Sequence, residues 1–173
     1  MHIDTAVTAA SPSERDITYL RHAMQLALQA KTAGRHPFGA VVVGADGRIL
    51  AEAGNNSMPP EGDPTQHAER VAAALAAQRV APSVLAAATL YTNAEPCAMC
   101  AGAIYWCNIG RVVYAMSEEK LLELTGNHPE NPTLRLPCRS VFASGQRSVE
   151  VIGPVDNLVD EAAAPHIGFW QTP

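Results

Sequence analysis

A proline followed by two cysteines three residues apart, Pro96-Cys97-Ala98-Met99-Cys100, restricts the fold of this chain more than any other stretch. On a helix, positions i and i+3 lie about 60° apart, so both sulfurs face one point. Both fall in the first turn, where the positive end of the helix dipole favours thiolate over thiol. Thirty residues before Cys97, the triplet His67-Ala68-Glu69 stands near the predicted start of another helix. Thiolate with imidazole is zinc chemistry. A fold that uses all three groups must bring two helix N-termini to one ion.

A closed structural zinc site needs four protein ligands, and His67, Cys97 and Cys100 make three. Cys107 lies about three helical turns beyond Cys97, out of reach of the same ion. Cys138 and His128 fall in a remote loop. Three ligands with an open corner describe a catalytic zinc that holds water, whose pKa the metal lowers to about 7. Glu69, at i+2 from His67, lies about 200° round the helix, which disfavours joint ligation. Its carboxylate is left to take the water proton and return it to the substrate. Such a set attacks an electron-poor carbon bearing an amino group and expels ammonia. Cys107 and Cys138 read as buried or inert thiols, and His2, His22 and His128 as solvent-facing.

The 173-residue chain is 47% hydrophobic, which suits one domain and excludes disorder along its whole length. No run reaches the roughly 18 apolar residues of a membrane helix. The opening MHIDTAVTAASPSERD lacks a cationic leader and an apolar core, so cytoplasmic residence is the expectation. Three of the four cysteines fall within residues 97–107, poor spacing for disulfides. A net charge of −5 repels phosphate backbones and anionic lipid and argues against nucleic-acid and membrane partners.

The patterning predicts a frayed tail over 1–14 and one domain over 15–173. Helices are expected at Ile17–Ala33, from Asp63-Pro64 to about Arg79, from Pro96 through CAMCAGAIYWC, at Ser117–Leu124 and at Asp156–Ala164. Strands are expected at AVVV, Arg48–Ala53, Ala87–Thr92, Arg111–Ala115 and Ser148–Ile152, with an Asp46-Gly47 turn joining the first pair. Residues 125–140, with Gly126, Pro129, Pro132 and Pro137, read as a long irregular connection of the kind that often carries function. A helix between the third and fourth strands makes them parallel. The fold class is therefore α/β, a mixed sheet between helices.

The blocks PFGAVVV, NN, DPTQHAE, LYTNAEPCAMCAGAIYW and IGRVVYA resemble the cytidine-deaminase-like superfamily, specifically its guanine deaminase and tRNA-adenosine deaminase branch. The H-x-E…P-C-x-x-C pattern is the zinc-deaminase signature. The likeness runs from about Ile17 to Met116, leaving 117–173 divergent. It implies a three-layer α/β/α fold with five strands, a zinc ion held by His67, Cys97 and Cys100, Glu69 as proton shuttle, and a homodimer or larger assembly. It also implies that Asn55 hydrogen-bonds the base, that Phe38 lines the pocket and that the backbone amides of Ala68 and Cys97 contact substrate and hydroxide. Trp106 matches an aromatic placed near the base in guanine deaminases. Phe169 and Trp170 would close the pocket as a lid, and His36 would touch the base edge.

Three substrate readings follow. A free base, guanine first, suits PFGA, the Asn pair and GAIYW. A tRNA adenosine suits CAGAI and IGRVV, but residues 121–173 hold three basic side chains against six acidic ones, where a tRNA grip should be basic. A cytosine or triazine-like base is left open by the 125–140 loop and the tail. A non-enzymatic alternative is a zinc-stabilised binding module, which would have no use for Glu69.

Overall fold

The computed structural model describes residues 10–171; residues 1–9 of the expected tail, His2 among them, lie outside that range. Five strands form one sheet in the order β2-β1-β3-β4-β5. They are β1 (Gly39–Val43), β2 (Ile49–Gly54), β3 (Thr89–Ala94), β4 (Arg111–Met116) and β5 (Glu150–Ile152). β1 runs antiparallel to β2 and β3, whereas β3, β4 and β5 are parallel. The helices are α1 (Glu14–Thr32), α2 (Ala68–Arg79), α3 (Pro82–Ala86), α4 (Ala98–Trp106), α5 (Glu118–Thr125), α6 (Cys138–Ala143) and α7 (Val159–Ala163).

The mixed sheet and the parallel third and fourth strands match the sequence-based expectation. β1 is buried along its whole length because helices cover both faces, which is why GAVVV reads as a continuous apolar run. Val41 and Val43 pack with Leu20, Met24 and Leu158 on the α1 side. Val42 points the other way, toward Ala72, Ile104 and Phe142. Gly39 begins β1 directly beneath α1, where a Cβ would run into the backbone of Ala23 and Ala27.

Several boundaries differ from expectation, each for a local reason. α1 starts before Ile17 because Ser13 caps it: Ser13 Oγ accepts from the Asp16 amide, and Asp16 Oδ2 accepts from the Ser13 amide at 2.8 Å. Asp63 does not cap α2. It closes its own turn, accepting from the Thr65 amide at 2.8 Å, and His67 with ψ 147° becomes the N-cap instead. Likewise α4 begins at Ala98, with Cys97 as its cap. The short helices α3 and α6 carry too little periodicity to be read in advance. α3 ends at Ala86 with Ala87 as its C-cap, which delays β3 to Thr89. The expected C-terminal helix breaks into a 3-10 turn at Asp156–Leu158, α7 and a second turn at Ala164–His166.

Candidate active site

His67 and Cys97 cap α2 and α4, so the two helix N-termini meet where β3 ends. The ligand atoms of His67, Cys97 and Cys100 all lie within 4.8 Å of one another. His67 Nδ1 stands 3.6 Å from Cys97 Sγ. Zn–S and Zn–N bonds of about 2.3 and 2.0 Å at a tetrahedral angle place such atoms about 3.5 Å apart. The spacing therefore fits a zinc ion. Cys107 and Cys138 stay outside the cluster. Cys138 is buried with its thiol pushed up by burial, and burial also raises half-buried Cys107.

The charge balance points the same way. Cys97 is drawn down to about 4, first by the hydrogen bond from Cys100 and then by His67. Cys100, giving that bond and buried, is pushed well up. Glu69 is raised by burial, and Glu118 is raised to about 8 by burial with Cys97, Glu69 and Glu95 nearby. Two sulfurs and three carboxylates thus crowd one imidazole. A divalent cation supplies the positive charge this donor set lacks.

The strand and turn just before the cysteines hold the surroundings in place. Thr92 Oγ1 donates to Glu69 Oε1 at 3.0 Å, leaving Oε2 beside Cys100 Sγ at 3.6 Å. Asn93 accepts from the Gly39 amide and donates to the Pro37 carbonyl, pinning the segment that carries Phe38. Glu95 accepts from the Glu118 and Cys138 amides at 3.1 and 3.0 Å, joining the N-termini of α5 and α6. Ala68 is fully buried in the first turn of α2.

A cavity of about 530 Å³ opens over this cluster. His36, Phe38, Asn55 and Ser57 form one wall, His67, Cys97 and Glu118 the base, and residues 129–134 the roof. Asn55 Oδ1 accepts from the Ser57 amide at 2.9 Å and from Ser57 Oγ at 2.8 Å. A backbone N–H can only donate, so this fixes which end of the amide is oxygen. Its Nδ2 has no hydrogen-bond partner among the described residues.

Three expected substrate residues sit elsewhere. Trp106 is 84% exposed, packed edge-on to Tyr105. It ends α4, six residues beyond Cys100, and does not line the cavity. Trp170 is buried behind the cavity wall, its ring 4.9 Å from His36 and 6.2 Å from Phe38. Phe169 meets His36 edge-on. Both aromatics back the wall, and the cover comes from the 129–134 loop. His22 pairs with Glu52 at 2.7 Å, and half-buried His128 meets Trp170. Sequence reading missed Glu118, Glu95 and the roof residues individually. Glu118 looked like an ordinary first-turn acid after the Ser117 cap, and the roof signal was the proline-rich spacing of 125–140.

The family described as "Cytidine and deoxycytidylate deaminase zinc-binding region" matches residues 13–116. A probable cytosine deaminase of Schizosaccharomyces pombe is 42% identical over 159 residues, covering 92% of this chain and 94% of that protein. The guanine deaminase of Bacillus subtilis is 46% identical over 99 residues, 57% of this chain and 62% of its own length. A crystal structure of guanine deaminase from that organism superposes with a TM-score of 0.56 at 36% identity, covering 70% of this chain and 82% of the other. A tRNA-specific adenosine deaminase of Haemophilus influenzae is 41% identical over 108 residues, 62% of each chain.

Proposed function

From the premise that this chain belongs to the cytidine and deoxycytidylate deaminase zinc-binding family, we propose that it hydrolytically deaminates a free nucleobase. The observation that carries this is the buried Glu69 carboxylate, set beside three converging metal-binding side chains and lining a small cavity of about 40 Å³ that shares His67, Cys97 and Glu118 with the larger one. His67, Cys97 and Cys100 would hold the zinc, and the chemistry a bound zinc would supply is Lewis acidity that brings water toward ionisation near neutral pH. Glu69 Oε2 accepts the proton of the attacking water, while Oε1 stays anchored on Thr92. The same carboxylate passes that proton to the departing amino group. The water oxygen adds to the amino-bearing carbon across the ring C=N bond, the other water proton ends on that ring nitrogen, and the C–N bond to the amino group then breaks to give ammonia and the oxo base. Asn55 Nδ2 donates to a carbonyl of the base, and Phe38 lies against the ring. Glu118, whose carboxylate has no hydrogen-bond partner among the described residues, accepts a ring N–H.

Cytosine leads among the bases. Sequence patterning alone favours guanine, but the likeness to the fungal cytosine deaminase takes in 92% of this chain, against 57% for the guanine deaminase sequence match. Trp106, the residue tied most directly to guanine, stands outside the cavity. Guanine is the second reading, favoured by the local identity over 99 residues. Both bases carry the carbonyl that Asn55 reads and a ring N–H for Glu118. The half-exposed face of α4 with Tyr105 and Trp106 is the expected homodimer contact.

The test is an ammonia-release screen of the zinc-loaded protein on cytosine, guanine, adenine, their nucleosides and a triazine analogue. Cytosine turnover well above that of cytidine supports the reading. Turnover of nucleosides only, or of adenosine in tRNA only, overturns it.

A further inference from the structure

His36 was expected to touch the base, yet both its ring nitrogens are committed within the protein. Nε2 meets Glu130 Oε2 at 2.9 Å. Nδ1 meets Ser57 Oγ at 3.3 Å, and that hydroxyl donates on to Asn55 Oδ1 at 2.8 Å. Glu130 belongs to the roof and Ser57 to the wall loop, so one ring joins the two sides of the cavity mouth. The ring itself cannot swing freely, because Trp170 and Phe169 brace it from behind. His36 is buried at 5% exposure, while the roof has no strand or helix of its own between Thr125 and Cys138.

We propose that His36 is a positioning residue, a latch that holds the roof loop shut through Glu130 and fixes the Asn55 amide through Ser57. The ring ties substrate reading to closure: with the latch made, Asn55 presents its N–H₂ to the cavity and residues 129–134 exclude water. With the latch broken, the roof has lost its one side-chain hydrogen bond to the cavity wall among the described residues. The part concerning substrate rests on the free-base reading above; the part concerning the roof does not.

The experiment compares the wild type with His36→Phe, Glu130→Gln and the double variant. Phenylalanine keeps the ring packing on Trp170 and removes both nitrogens. Arg135, exposed in the roof loop, offers trypsin a site whose cutting reports opening without any substrate. Each single variant should be cut after Arg135 about fivefold faster, as expected for one partly exposed charged hydrogen bond, and the double variant no faster than either single. With cytosine, KM should rise about as much while kcat changes less than about twofold. Unchanged cutting, or effects that multiply in the double variant, would overturn the latch. Should the wild type release ammonia from no base, the functional reading fails, and the trypsin comparison still decides the latch.

Discussion

Arg111 grips Asp16 with both arms, Nη1 to Oδ1 at 2.7 Å and Nη2 to Oδ2 at 2.9 Å, across 95 residues of sequence. Tyr91 adds its hydroxyl at 2.9 Å. One carboxylate thus finishes the α1 capping box and bolts that helix to β3 and β4. Burial alone would raise the Asp16 carboxyl, but Arg111, the Ser13 amide and Tyr91 outweigh it and hold the group far below its usual range. Asp16→Asn keeps the shape and leaves Arg111, itself about one-quarter exposed, with only the more exposed Glu150 carboxylate at 3.2 Å to pair with. The loss should be about 2–3 kcal/mol, read as a lower urea midpoint at an unchanged slope.

His166 makes a second prediction, on pH. Burial, with Lys31 and His36 nearby, lowers it to about 3. Its Nδ1 accepts from the Trp170 indole at 3.1 Å, which requires that nitrogen to be unprotonated. The folded pKa lies below the unfolded one, so the unfolded chain takes the proton first. Stability falls with decreasing pH from about 6.5 toward 3, by about 1.4 kcal/mol per unit from this residue. Urea unfolding at pH 7 and pH 5, compared with His166→Gln, should show a shallower pH dependence in the variant.

Asn55 gives a third. Asn55→Ala removes the donor read by the base and should raise KM at least tenfold, and Ser57→Ala, which only loosens the amide, should do less. Steady-state kinetics on the best base would decide the order.

The partly exposed apolar face of α4 predicts a dimer. Trp106→Ala should weaken self-association measured by sedimentation velocity while leaving the far-ultraviolet spectrum intact. An 18 kDa species in the wild type at micromolar concentration would remove this contact from the account.

Much of the site was legible in the chain because its chemistry is local. Cys97 and Cys100 share one turn, and His67 and Glu69 sit within three residues, so spacing alone constrains what they can do. The ends of α1 and α2 were less legible. Asp16 and Asp63 are both good caps by type, and only tertiary context shows that one serves a capping box while the other closes a turn. Glu95, Glu118 and Glu130 were invisible as a group because they come from a β3–α4 turn, a helix start and an irregular loop. Trp106 misled for the opposite reason: a block can match in sequence while its last side chain points away from the site.

The central claim is that Glu69 moves the proton at a zinc held by His67, Cys97 and Cys100, and Glu69→Gln tests it most directly when metal content and ammonia release are measured on the same sample. About one zinc per chain is expected in both proteins, with a fall in turnover on the order of 10²–10⁴ in the variant. Turnover near the wild-type level at full zinc occupancy would contradict it.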